Sequence, residues 1–235
     1  MEQHEVMSRL HQLALEQDRL TRQLMAGEQR FRGLARSVWR VQEEERKRLA
    51  RELHDGLGQT LTALKHRLAA LAPSDASRDA LALAEQALAD TRNLARLLRP
   101  AILDDLGLGP ALNWLCRLTE QRTGWQVPLQ LSGLDQRLAP ELETLLFRVA
   151  QEALANAQKH AKASVVDISL LRTGQRLLLS VADNGAGFEL DSALAAQGDG
   201  FGLRSMQDRV ELFGGELVIN TSPGSGTEIR VHLDI

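Results

Sequence analysis

Between residues 6 and 98 the chain contains a single proline, Pro73, and apolar residues recur there at alternating steps of three and four. Leu10, Leu13, Leu20, Leu24, Phe31, Leu34, Val38 and Val41 form this seam, with Gln17 and Gly27 interrupting it. A seam of that period runs along one side of an α-helix and needs a partner helix to cover it. No nearby segment is placed to do so. The spacing therefore favours a parallel coiled coil of two copies over residues 1–42, against the alternative of one amphipathic helix folded onto its own domain. The seam continues through Leu49, Leu53, Leu57, Leu61, Leu64, Leu68 and Leu71 and stops at Pro73-Ser74-Asp75. A second amphipathic stretch, with Leu81, Leu88, Leu94, Leu97 and Leu98, ends ahead of Pro100, since proline disfavours helix in the residue before it. Residues 43–99 thus read as a helical hairpin, and two hairpins from two chains make a four-helix bundle.

A boundary is expected near residues 99–110, with 100–124 as linker and first helix of a second domain that occupies 125–235. From Trp125 the period falls to two, as in Val127, Leu129 and Leu131. A helix is predicted from Pro140 to His160, strands at Val165–Leu171 and Leu177–Ala182, and a helix near Leu203–Phe213. Two further strands, Glu216–Thr221 and Thr227–Leu233, flank a turn at Ser222-Pro223-Gly224-Ser225-Gly226. Strands joined partly by hairpins and partly by helices predict an α/β sandwich with helices on one face of a mixed sheet. An apolar share of 43% supports a core for it.

A net charge of -3 supplies no basic field, which argues against general nucleic-acid binding. One cysteine, Cys116, excludes an internal disulfide and reads as a small core residue. No stretch reaches the roughly 18 to 20 apolar residues of a membrane span, and MEQHEVMSRL lacks a signal-peptide core. The expected location is cytoplasmic, either as such or as the cytoplasmic portion of a membrane-anchored protein whose anchor lies upstream.

On the first helix, Arg51-Glu52-Leu53-His54-Asp55-Gly56-Leu57-Gly58-Gln59 places two glycines inside helix, each costing about 1 kcal/mol relative to alanine. Missing side chains let another body approach. His54 lies about 100° round the helix from Leu53, at the edge of the apolar stripe, so its imidazole can reach solvent. A neutral imidazole attacks phosphorus through one nitrogen while a carboxylate, here Asp55, orients the other. Gln59, four residues beyond Asp55, shares its face and is a candidate for holding a water in the reverse chemistry. A helical His-Asp pair taken alone is more often structural.

Three elements of the second domain combine chemistry for a nucleotide, although the common G-x-x-x-x-G-K phosphate loop is absent. Glu152, Asn156 and Lys159 repeat at four and three on the predicted helix, offering an amide oxygen to a hard cation and an ammonium to phosphate. Asp183-Asn184-Gly185-Ala186-Gly187 offers a carboxylate able to accept from an exocyclic amine such as adenine's, then glycines that admit close backbone approach. Gly198-Asp199-Gly200-Phe201-Gly202 precedes a helix, where backbone donors and the helix dipole suit phosphates. The small polar chain between the glycine clusters suits a lid.

The segment Glu45-Arg-Lys-Arg-Leu-Ala-Arg-Glu-Leu-His-Asp55, continuing through Gln59, resembles the dimerisation and phosphoacceptor motif of sensor histidine kinases related to the nitrate sensors and the membrane-fluidity thermosensor. The linker Leu97-Leu-Arg-Pro-Ala-Ile-Leu-Asp-Asp-Leu-Gly-Leu108 is similar to the same group. Glu152-Ala-Leu-Ala-Asn-Ala-Gln-Lys-His160, Asp183 to Gly187, Gly200-Phe-Gly202 and Gly224-Ser-Gly-Thr227 resemble, in order, the boxes of the Bergerat-type ATP-binding domain that these kinases share with type II topoisomerases, mismatch-repair ATPases and ninety-kilodalton heat-shock chaperones.

That resemblance implies a homodimer that uses ATP and Mg²⁺ to phosphorylate its own His54, and then passes the phosphoryl group to an aspartate on the receiver domain of a response regulator. It implies phosphatase activity on that regulator, supported by Asp55 and Gln59. It implies Asn156 on Mg²⁺, Asp183 on adenine with Thr227 behind it, and Lys159 and His160 near the phosphates. Gly185, Gly187, Gly200 and Gly202 would let the backbone close on the nucleotide. Glu152 corresponds to a water-activating base in the hydrolysing relatives, and its role here is left open. The alternatives are a nucleotide-sensing scaffold or phosphatase with little kinase activity, and an ATP-hydrolysing machine, which the phosphoacceptor segment argues against.

Overall fold

The computed structural model describes residues 2–191 and 201–235, with side chains from residue 16 onward except at 201. Contacts divide the chain into two units, residues 1–48 and 49–235. The first unit belongs to helix α1, Glu2–Glu52. Its seam side chains Leu20, Leu24, Phe31, Leu34, Val38 and Val41 are between 55% and 74% exposed, so within one chain the seam is uncovered. Ion pairs one turn apart, Asp18–Arg22 and Glu28–Arg32, line its solvated side. No described helix is long and apolar enough to cross a membrane.

α1 passes into one π-helical turn, Leu53–Leu57, and then into α2, Gly58–Ala69. The Gly58 N–H reaches back five residues to the Leu53 carbonyl, the bond that defines the wider turn. After Pro73 the chain reverses into α3, Asp75–Leu98, whose first turn is closed by a reciprocal cap between Ser74 and Ser77. A Lys65–Glu85 ion pair at 2.8 Å and the buried Gly58, Ala84, Leu88 and Ala95 hold α2 against α3. Leu57, Leu64, Leu71, Leu83 and Leu94 stay exposed on the hairpin.

Short helix α4, Ala101–Asp105, and α5, Leu108–Thr123, follow. Leu103, Leu108, Leu112, Leu115 and Cys116 sink into the core of the α/β half, so this stretch is part of that core and not a free connection. β1, Leu129–Ser132, leads to α6, Pro140–Asn156, then a second π turn, Ala157–Ala161, which ends at Lys162 in the left-handed conformation (φ 51°). β2, Val166–Thr173, and β3, Arg176–Asp183, form a hairpin. Helix α7, Phe201–Leu212, precedes the hairpin of β4, Glu216–Thr221, and β5, Thr227–Asp234.

The sheet runs β1-β2-β3-β5-β4, with β1 parallel to β2 and all other pairs antiparallel. Alternation buries one face: Val166, Ile168 and Leu170, Leu177, Leu179 and Val181, and Ile229, Val231 and Leu233 meet Leu112, Leu145, Leu146, Phe147, Met206 and Val210 of the helices. The other face carries Ser180, Glu228, Arg230 and His232. The expected mixed sheet with helices on one face is the observed one.

The hairpin is fastened to this half through α6. The last carbonyls of α3 have no partner within the helix, and buried Arg148 donates to the Leu97 oxygen at 3.2 Å and the Leu98 oxygen at 2.5 Å. Gln151 donates to the Leu97 oxygen at 2.9 Å, and Arg99 bridges Asp104 and Thr144.

Candidate functional site

A cavity of about 250 Å³ opens between α6, its π turn, α7 and the sheet. Its walls are apolar, with Ala153, Ala157, Val181, Leu203 and Ile229 among them, and polar groups enter at a few points: Asn156, His160, Asp183 and Thr227. That mixture is usual for small-molecule sites.

Asp183 ends β3, and its Oδ1 accepts from the Gly185 N–H at 2.8 Å, which holds the carboxylate and leaves Oδ2 for a ligand. In the β3–β5 register Thr227 stands directly opposite Asp183. Thr221 Oγ1 lies 3.3 Å from Thr227 Oγ1, donates to the Gly226 carbonyl at 2.9 Å and accepts from the Phe188 N–H at 3.2 Å. The loop after Asp183 is thereby stitched to the β4–β5 turn. Gly187 has φ +58°, and a Cβ there would stand 2.0 Å from the Ser222 carbonyl oxygen. At Gly185 a Cβ would meet the Ala161 carbonyl at 2.3 Å, where the Ala186 N–H bonds at 2.7 Å. Both glycines are therefore required for the backbone to close on the end of the π turn and on the turn between β4 and β5.

The spacing of Glu152, Asn156 and Lys159 at four and three predicts one shared face; Glu152 and Asn156, both ahead of the π turn, keep it, and Lys159 leaves it. The helix widens at Ala157, after Asn156, which rotates later residues; His160 then enters the cavity lining while Lys159, exposed, lies outside it. Glu152 and Asn156 both face the start of α7, with Glu152 Oε1 2.6 Å and Asn156 Nδ2 3.7 Å from where a Cβ on Gly202 would sit. Gly200, and the stretch expected to act as a lid, lie outside the described residues.

His54, Asp55 and Gln59 are exposed. His54 and Gln59 line one shallow groove on the hairpin, together with His66 and Arg92, and Asp55 is not in that lining. In an α-helix Gln59 would sit on the face of Asp55; the five-residue hydrogen bond of the π turn shifts face neighbours by about one position and brings Gln59 under His54.

Sequence reasoning missed several residues. Asn184 Oδ1 accepts from the Ser164 and Val165 N–H groups at 2.9 and 3.0 Å, anchoring the loop to the start of β2. Arg148, Gln151 and Arg92 were also unforeseen. The only signal in the chain was that Arg148 and Gln151 precede Asn156 on the same helix.

The family described as histidine kinase-, DNA gyrase B-, and HSP90-like ATPase matches residues 141–235, and the histidine kinase family HisKA_3 matches residues 45–103. The chain carries the two domains of a HisKA_3-type histidine kinase. Its ATPase domain implies ATP binding. Among curated relatives of this chain, the sensor histidine kinase MctS of Rhizobium johnstonii is 40% identical over 211 residues, covering 84% of this chain and 45% of that protein. The signal transduction histidine-protein kinase/phosphatase DegS of Bacillus subtilis is 35% identical over 229 residues, covering 90% of this chain and 58% of that protein. The chain thus spans about half the length of the curated relatives it matches. Among solved structures it is similar to the Erythrobacter litoralis EL346 blue-light activated histidine kinase, at 19% identity over 80% of this chain and 59% of that one, with a TM-score of 0.49.

Proposed function

We propose that this chain takes the γ-phosphoryl group of ATP onto His54 and hands it to an aspartate on the receiver domain of a response regulator. The observation that supports this most is the coexistence, in one chain, of an exposed histidine on a π turn within the phosphoacceptor segment and a half-apolar cavity edged by Asp183 and Asn156. In this reading adenine enters between the alanine face of α6 and Val181 and Ile229, and its exocyclic amine donates to Asp183 Oδ2. Thr227 steadies Asp183 from the neighbouring strand.

Asn156 would hold Mg²⁺. Among the described residues no cluster of three or more acidic, histidine or cysteine side chains could bind a metal ion, and a single amide oxygen beside nucleotide phosphates suits an ion that keeps most of its ligands as water and phosphate. Mg²⁺ would neutralise phosphate charge; the chain's own groups do the rest. Lys159, on a long flexible stem, and His160 reach toward the phosphates from the π turn, and Gly202 brings the start of α7 near them. Transfer of this kind is mostly positioning and charge neutralisation.

Asp55 orients the His54 ring. Gln59, in the groove with His54, is placed to hold a water against a phosphorylated regulator, so phosphatase activity belongs to the same reading. The exposed seam of α1 and the exposed leucines of the hairpin would be covered by a second copy, giving a homodimer whose ATP supply and regulator place it in the cytoplasm. Incubation with γ-labelled ATP tests the core claim. The wild-type chain should take up acid-labile, base-stable label, and His54→Gln should take up none while still binding a fluorescent ATP analogue; a labelled His54→Gln chain would refute the site.

A further inference from the structure

We infer that Arg92, on α3, binds the phosphoryl group as His54 receives it; the inference rests on His54 being the phosphorylated residue. The groove beside His54 encloses about 340 Å³ and is built from two helices: His54, Gly58, Gln59, Thr62 and His66 lie on the π turn and α2, and Arg92 comes from α3. Its lining holds one permanent cation and two imidazoles, and no carboxylate.

Arg92 is not explained as a surface ion pair. Its neighbours three and four positions away on α3 are Leu88, Ala89, Ala95 and Arg96, so no acid lies within a turn on its face. No hydrogen bond or ion pair engages it among the described residues, whereas Arg78, Arg99, Arg137 and Arg148 each have partners. A guanidinium facing a groove without a counter-charge is suited to an anion, and its planar fork matches two oxygens of a phosphoryl group.

The groove also stays open when the hairpin pairs with a second copy. At about 100° per residue, Leu64 lies about 200° round α2 from Thr62. Leu94 and Leu83 lie about 200° and 180° round α3 from Arg92. Exposed Leu64, Leu83 and Leu94 are therefore on the opposite side of their helices from the groove, which leaves the groove clear of a partner hairpin that covers them.

In the transfer, a ring nitrogen of His54 forms the bond to phosphorus as the bond from phosphorus to the bridging oxygen of ATP breaks. The electron pair leaves on ADP, and the proton on the other ring nitrogen is released to solvent. The transferred group carries about two negative charges at neutral pH, and Arg92 meets them at the rim of the groove.

The test uses the full chain and γ-labelled ATP. Arg92→Ala should form phosphohistidine about tenfold more slowly, the order expected for losing a charged hydrogen bond made in the transition state. Binding of a fluorescent ATP analogue and thermal melting should match the wild type, and Arg92→Lys, which keeps the charge without the fork, should recover part of the rate. Arg92→Ala labelling at the wild-type rate would overturn the inference while leaving His54 in place. So would a slower rate that tracks a loss of ATP-analogue binding. A wild-type chain that takes up no label would remove the His54 reading and this inference with it.

Discussion

Replacing Gly187 with alanine tests whether the nucleotide cavity is built on the contact between the loop after β3 and the turn between β4 and β5. Two costs combine at that position. An alanine at φ +58° pays about 1 kcal/mol for the left-handed conformation. Its Cβ would also stand 2.0 Å from the Ser222 oxygen and 2.9 Å from the Gly226 oxygen, both backbone atoms that cannot rotate away. Relieving that overlap requires the loop and the turn to separate, at a cost of about 2 kcal/mol by analogy with overpacked cores. The sum, about 3 kcal/mol, corresponds to a loss of roughly 6–12 °C in Tm for a unit of this size. Gly174 supplies the control: its φ is +61° but nothing lies within 4 Å of a Cβ there, so Gly174→Ala should lose only about 1 kcal/mol, or roughly 2–4 °C. Thermal unfolding followed by the fluorescence of Trp114 and Trp125, with an ATP-analogue titration of each variant, separates the two. Gly187→Ala should also weaken the analogue, because the displaced loop carries the Gly185 N–H that holds the Asp183 carboxylate. Equal melting shifts for the two variants would refute the reasoning, since the backbone contact would then add nothing to the conformational penalty.

The Cys116 thiol is pushed up to about 12 by burial, with the nearby Glu120 charge adding to it, so it should resist a thiolate-selective reagent at pH 8 in the folded chain and react on denaturation. Because its pKa is raised, the unfolded chain gives up that proton first, and stability should fall as pH rises from about 9 towards 12; Cys116→Ser should flatten that slope in a pH series of denaturant melts. Gly56→Ala, with nothing within 4 Å of a Cβ, should stabilise the hairpin by about 1 kcal/mol; if the bare surface admits the nucleotide-bearing domain or the regulator, the same variant should transfer phosphoryl more slowly, measured by regulator labelling.

Much of the architecture was legible in the chain. The heptad seam and the stop at Pro73 predicted the long helix and the hairpin, and the change of period at Trp125 predicted the strands to within one or two residues of Val166–Thr173, Arg176–Asp183 and Thr227–Asp234. These are local patterns: alternation and capping act over a few residues, so the sequence carries them directly. The pairing of Asp183 with Thr227 was reached only through the resemblance, since register is a long-range property.

The sequence by itself therefore determined which elements form, which of their faces are apolar, and that His54, Asn156 and Asp183 stand on a helix, a helix and a strand end. The tertiary structure decided how those elements are used. Each of two helices widens by one residue, at Leu53–Leu57 and Ala157–Ala161, a choice that no propensity encodes because it depends on packing around the turn. Those two turns put Gln59 in the groove with His54, and His160 rather than Lys159 in the lining of the cavity. Contacts distant in sequence did the rest: Arg148 and Gln151 reach back about fifty residues to the end of α3, and Arg92 comes beside His54 only because the hairpin folds antiparallel.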